Sequence, residues 1–212
     1  FTKYEDQINK GIIEADDYLG SRNHFMNPNT RKGLGGFIPS GNLAEQQFAT
    51  GINYWLNNNQ KESMYYLGLV LHLIQDSTVP HHAVPTILSG HLEFENWLSS
   101  NTYKYLTAKT GDYTKETVYE YILSNSKQAL SVFSLVSGGE FTNYDRCAKN
   151  IVPLAQQTSA GSVQLFFETI EDEQPIVMPN TLDFGIIGLF VVAIGIVVLI
   201  IGKSNTNRSI YG

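Results

Sequence analysis

Residues 72–82 read His72-Leu73-Ile74-Gln75-Asp76-Ser77-Thr78-Val79-Pro80-His81-His82. His72 and Asp76 are four apart, so on a helix they share one face. Pro80 breaks that helix and turns His82 back toward the same face. Further on come His91 and Glu95, again four apart. The chain has 5 histidines, and all but His24 fall between positions 72 and 91. Imidazole and carboxylate at helical spacing offer nitrogen and oxygen ligands from rigid elements, which is what a zinc site requires. A buried carboxylate beside a buried imidazole needs a compensating charge, and a divalent metal supplies it.

Each candidate has a plainer reading. A histidine on an apolar helix is usually a satisfied core residue; Asp76 and the Pro-x-His return set His72 apart from that case. Glu93 and Glu95 could form a solvated acidic face, but only Glu95 shares a helical face with His91. Asp16 and His24 are weaker on spacing alone, because Asp16-Asp17 could be a polar helix end near a turn. Cys147 is the one cysteine, so no disulfide framework exists. It reads as a small buried side chain, with a thiolate ligand or nucleophile as the alternative.

The elements that must position these residues are helical. Residues 1–18 carry Tyr4, Ile8, Ile12 and Ala15 at three-to-four spacing. Residues 19–42, rich in Gly, Asn, Pro and Ser, read as loop. Residues 42–57 form a helix bearing Phe48, Ile52 and Trp55, closed by Asn57-Asn58-Asn59. Residues 61–75 are apolar nearly all round, which predicts a central buried helix. Residues 80–90 read as loop, 91–105 as an amphipathic helix, and 115–136 and 142–170 as two further helical segments separated by Gly138-Gly139. No strand alternation and no internal repeat is visible, and the class is all-α.

The chain has 212 residues. Before Phe184 it carries a net charge of −8, and after it +2. So acidic a domain is not built to hold a nucleic-acid backbone by charge, and no nucleic-acid partner is expected. Residues 184–202, FGIIGLFVVAIGIVVLIIG, contain no charge. As a helix they span roughly 28 Å, close to a bilayer's hydrocarbon core. The expected organisation is a domain at 1–171, a linker at 172–183, a transmembrane helix at 184–202 and a tail at 203–212. Lys203 and Arg208 follow the span and acidic residues precede it, which puts the tail in the cytoplasm and the domain on the extracellular side. No secretory signal opens the sequence, so a chain cut at its front is expected.

Taken in series, several segments resemble the zinc-dependent phospholipases C of bacteria and, more distantly, single-strand nucleases of the same fold. The segments are Gly11-Ile12-Ile13-Glu14-Ala15-Asp16; His24-Phe25-Met26-Asn27-Pro28; Tyr66-Leu67-Gly68-Leu69 running into His72-x3-Asp76-x3-Pro80-x-His82; His91-x3-Glu95-Asn96; and Thr158 to Phe167. The resemblance implies a multi-helix domain whose Asp16, His24, His72 and Asp76 surround one zinc. It implies that His82, His91 and Glu95 hold another, and that Asp16 is also a candidate general base. Glutamate at position 95 favours the phospholipases over the nucleases.

Two departures accompany it. The third zinc of that family uses an N-terminal tryptophan and a nearby histidine, and no segment of this sequence matches them. The family's choline pocket uses aromatic side chains at the positions of Asp17 and Ser21, so a quaternary ammonium would lose its ring contacts here. The headgroup is therefore open, with ethanolamine and serine among the possibilities. His81 stands where the resemblance requires no histidine, and reads as a neighbour behind the ligands or a surface residue, with a register slip against His82 as the alternative. The resemblance implies a membrane-anchored zinc phosphodiester hydrolase acting on phospholipid, releasing diacylglycerol or its ether equivalent and a phosphorylated headgroup. The alternatives are a nuclease-like phosphodiesterase and a non-catalytic, zinc-stabilised surface module.

Overall fold

A computed structural model describes residues 2–84, 90–107, 111–138 and 141–173. Seven α-helices occur among the described residues: α1 (Glu5–Ala15), α2 (Ser40–Leu56), α3 (Gln60–Asp76), α4 (Pro80–Ala83), α5 (His91–Asn101), α6 (Val118–Ser131) and α7 (Phe141–Glu173). No strand is present among these residues, which agrees with the all-α reading.

Helix α3 is the axis of the fold. Every residue from Leu67 to Asp76 is buried, as its apolar surface predicts. Its N-terminus is capped by Asn59, whose side chain accepts from the Glu62 N–H. Ile8, Ile12, Ile52, Met64, Leu67, Leu71, Phe166, Phe167 and Ile170 form one core cluster around its first half. Helix α7 runs antiparallel to it: Asn125 bonds both the Ile74 carbonyl (3.1 Å) and Thr158 (3.0 Å), while the later residues of α7 pack beside Met64 and Leu67. A separate cluster at the other end joins Val79, Phe94, Leu98, Tyr144, Cys147 and Ile151.

Helix α1 buries Ile8, Gly11, Ile12 and Ala15, the stripe expected of a surface helix. It meets α3 through two glycines. A methyl on Gly11 would overlap the Tyr65 carbonyl oxygen, and one on Gly68 would overlap the Ile8 carbonyl oxygen. The two backbones therefore touch with no side chain between them. The close crossing puts the Ile12 carbonyl within 3.0 Å of His72 Nδ1.

Several boundaries differ from the sequence reading. Helix α1 stops at Ala15 and the chain continues as a wider π-helical turn at Asp16–Gly20, ended by Gly20 at φ 76°. The stretch read as loop from 19 contains a short 3-10 turn at Ser21–Asn23, and α2 begins at Ser40. Residues 80–83 are a single helical turn rather than loop, because proline favours the first helical position. Residues 118–131 are helical, and the segment closes in a short turn at Phe133–Leu135. Helix α7 runs unbroken past Pro153 to Glu173, beyond the expected start of the linker.

Cys147 is fully buried in the apolar cluster with Tyr144 and Ile151, where burial pushes its thiol up to about 12, in keeping with a small core side chain. Among the described residues no helix is long and apolar enough to cross a membrane. The expected span at 184–202 and the tail at 203–212 lie outside the described residues.

The glycine contact gives a direct test. Alanine is about 1 kcal/mol better than glycine in a helix interior. Forcing a methyl into a backbone carbonyl costs more, up to about 3 kcal/mol. We therefore expect Gly11→Ala to lower the thermal midpoint and to weaken metal uptake, because Ile12 and Asp16 move with α1. A midpoint equal to or above that of the parent would show that the two backbones do not touch here.

Candidate metal centre

Three helices, α3, α4 and α5, and the segment after α1 bring all seven predicted site residues together. Asp16 comes from the π-helical turn, His24 from the following segment, His72 and Asp76 from the last turns of α3, His82 from α4, and His91 and Glu95 from the first turns of α5. The ligand atoms of Asp16, His24 and His72 lie within 4.8 Å of one another, and so do those of His82, His91 and Glu95.

Asp76 lies between these two groups. Its Oδ2 is 2.8 Å from His24 Nδ1, 3.1 Å from His72 Nε2 and 3.5 Å from His82 Nδ1. The His82 ring then spans to the second group, with Nε2 3.2 Å from Glu95 Oε1. The same Glu95 oxygen is 2.9 Å from His91 Nε2. The i,i+4 spacings of His72–Asp76 and His91–Glu95 thus become direct contacts, and Pro80 returns His82 between them.

Backbone carbonyls fix two of the rings. His72 Nδ1 donates to the Ile12 carbonyl at 3.0 Å, and His82 Nδ1 faces the His24 carbonyl at 3.2 Å. A ring whose Nδ1–H is held by a carbonyl presents a lone pair at Nε2, which suits metal ligation. Phe25 stacks flat on His82, with centroids 4.8 Å apart and planes at 7°. The backbone supports this arrangement, since Met26 N–H donates to the His82 carbonyl at 3.0 Å.

The electrostatics are those of a site arranged for positive charge. Burial opposes the charged form of His72, but the Asp76 carboxylate, with Asp16 and the Ile12 carbonyl, outweighs it and raises the imidazole to about 9. Burial likewise opposes ionisation of Asp76, yet the neighbouring His72, His82 and His24 rings hold its carboxyl well below the usual carboxylate range. His24 Nε2 is buried with no hydrogen-bond partner among the described residues. Converging nitrogen and oxygen donors, two rings locked with Nε2 inward, and a buried anion shared between two groups together fit a pair of divalent cations.

Burial also separates roles. His24 and Asp76 side chains are 1% and 6% exposed, whereas Asp16 is 35% exposed and stands farther off, 3.5 Å from His24 Nδ1 and 3.8 Å from His72 Nε2. The centre is therefore deepest at His24 and Asp76 and opens to solvent at Asp16. Asp17 and Ser21 are both exposed. Glu93 is exposed too, on a different face of α5 from the ligand pair. Spacing could not reveal the Ile12 carbonyl or the Phe25 stack, because both contacts join different elements. The nearest hints were sequence adjacency alone: Phe25 follows His24, and Ile12 precedes Asp16 by one turn.

Comparison with known proteins identifies the family. The family profile described as zinc dependent phospholipase C matches residues 1–137. A phospholipase C of Clostridium perfringens is 26% identical over 137 residues, covering 56% of this chain and 34% of that protein. Another from the same species is 24% identical over 189 residues, covering 75% of this chain and 48% of the relative. This chain thus spans from a third to about half the length of these curated relatives. Among solved structures, the alpha toxin of Clostridium absonum superposes with a TM-score of 0.67 at 18% identity, covering 77% of this chain and 54% of that one. The alpha-toxin of an avian strain of C. perfringens gives 0.68 at 20% identity, covering 81% and 56%. These likenesses establish the shared fold, and the profile match extends over more than half of the sequence. The chain belongs to the zinc-dependent phospholipase C family.

Proposed function

We propose that this chain carries the metal centre of a membrane-anchored phospholipase C-type phosphodiester hydrolase, which releases diacylglycerol, or its ether equivalent, and a phosphorylated headgroup. The observation that carries the reading is the convergence of three imidazole nitrogens on Asp76 Oδ2, flanked by the two ligand groups. In this reading Asp16, His24, His72 and Asp76 hold one zinc, and His82, His91 and Glu95 hold a second. Zinc held there supplies Lewis-acid polarisation of the phosphoryl oxygens and a water acidic enough to attack near neutral pH.

The protein's own residues divide the remaining work. Asp76 is buried and held ionised, so it neutralises and orients; it does not deliver protons. Asp16 is the solvent-facing carboxylate of the first group and sits looser than Asp76. That position suits a general base that accepts the proton of the attacking water. Ile12 and His24 act through their carbonyls, fixing the tautomers of His72 and His82. Phe25 covers one face of His82 and excludes water from it. Asp17 and Ser21 are exposed polar groups where the family's choline pocket has aromatic rings, which favours a primary-amine or other polar headgroup over a quaternary ammonium.

The anchor rests on the uncharged run at 184–202. Because α7 is antiparallel to α3, Glu173 lies about 22 Å beyond the level of Thr158, which is the level of Ile74. Ten residues, 174–183, separate Glu173 from the run, enough to reach at most roughly 35 Å. Tethering of that kind raises the effective concentration of a lipid substrate. In this reading the domain is extracellular and the tail is cytoplasmic.

Two outcomes are expected. The full chain in detergent, loaded with zinc, should convert phospholipid to diacylglycerol and phosphorylated headgroup; chelation should abolish turnover and zinc should restore it. Asp16→Asn should lower turnover by about 100-fold, a far larger loss than that of zinc occupancy. Release of fatty acid instead, or zinc lost in step with turnover in that variant, would contradict these assignments.

A further outcome concerns pH in the metal-free protein. His72 is raised from an ordinary 6.5 to about 9, so its contribution to stability is complete below about 6.5 and is lost as pH rises through 9. Asp76 is lowered, so its contribution is complete above about 4 and is lost as pH falls below that. The thermal midpoint of the metal-free chain should therefore fall between pH 6.5 and 9, and Asp76→Asn should flatten that fall. An identical slope in parent and variant would show that the pair is not coupled.

A further inference from the structure

The Pro80-His81-His82 turn carries two consecutive histidines, and only His82 belongs to the centre described above. Successive residues on a helix point about 100° apart, so His81 must face elsewhere. It is buried at 2% exposure. Its ring lies face to face with that of His91, with centroids 4.9 Å apart and planes at 17°. On its other sides it meets the edge of Phe133 at 5.6 Å and 81°, and Phe94 at 5.9 Å and 41°. Gly90 lies beside it: a methyl there would stand 3.9 Å from His81 Nε2.

His91 needs such support. It is the first residue of α5, preceded by Gly90 in the left-handed region at φ 95°, so no earlier helical turn buttresses its side chain. Its polar contact is to Glu95, which belongs to the same ligand group. Once Glu95 and His91 both turn to a cation, that contact no longer defines the ring plane. Three aromatic contacts remain: Phe25 edge-on at 6.0 Å and 79°, His82 edge-on at 4.9 Å and 85°, and His81 face-on. His82 is itself a member of the ligand group, whereas His81 is fixed from outside by Phe94 and Phe133.

We propose that His81 is a positioning residue for the second metal, holding the His91 ring in its ligating plane by face-to-face stacking. The proposal rests on the assignment of His82, His91 and Glu95 to a second zinc. It makes the Phe94–Phe133 wall, through His81, the support of a ligand that starts a helix and has no turn behind it.

The test uses the zinc-loaded full chain and competition with a chromogenic chelator, together with the thermal midpoint of the metal-free form. The parent should release two equivalents. His81→Ala should weaken one equivalent roughly tenfold and leave the other unchanged, since groups that orient a ligand act on metal affinity at that scale. His81→Phe keeps a flat ring and should restore the affinity to near the parent value. Unchanged affinity in His81→Ala, equal weakening of both equivalents in step with a lower metal-free midpoint, or His81→Phe as weak as His81→Ala would each overturn the stacking role. A parent chain that binds a single equivalent would overturn the second site itself, and this proposal with it. Two parent equivalents with an indifferent His81→Ala would remove the positioning role alone.

Discussion

The backbone contact between Gly11 and Gly68 is the constraint on which the centre depends. With any larger residue at either position, α1 would be held off α3 by a side chain. The contact lets the Ile12 carbonyl reach His72 Nδ1, and in the π-helical turn that follows α1 Asp16 faces His24 and His72. A π-helical turn re-aims the side chains that follow it, and such turns are frequent at functional sites. Here that register places Asp16 over the end of α3 while Asp17 stays in solvent.

Around that crossing the centre is assembled from opposed charges in a buried place. One Asp76 oxygen meets three imidazoles, and burial works against the charged forms of both His72 and Asp76. Without cations, the arrangement stands because His72 holds a proton more tightly than a free imidazole does and Asp76 gives its own up more readily. Protons and metal ions thus compete for the same lone pairs, and metal loading must displace them. The His82 ring joins the two ligand groups, one nitrogen toward Asp76 and the other toward Glu95, so changes in one group are felt by the other.

Much of this was legible in the residues. The all-α class, the central buried helix and five of the site side chains, His72, Asp76, His82, His91 and Glu95, follow from apolar periodicity, i,i+4 pairs and one proline, whereas Asp16 and His24 were weak on spacing and entered through the family resemblance. Those signals act within an element, where spacing fixes which side chains are neighbours. Contacts between elements were not legible. Nothing in the spacing of Gly11 and Gly68 declares that they touch, and nothing marks Phe25 as the plate on His82 or the Ile12 carbonyl as the acceptor of His72. The turn at Pro80–Ala83 was read as loop because a proline after a helix signals a break as readily as a start. His81 passed as a bystander because its partner, His91, is ten residues away on another helix.

The claim at the centre of this account is that two cations sit on either side of Asp76. The most direct measurement is zinc per chain, by elemental analysis of the purified full-length protein after dialysis without chelator. Two or more zinc ions per chain is the result this arrangement predicts. One zinc or none would contradict it, because Asp76 would then be an ion-paired core carboxylate and not the hub of a metal centre.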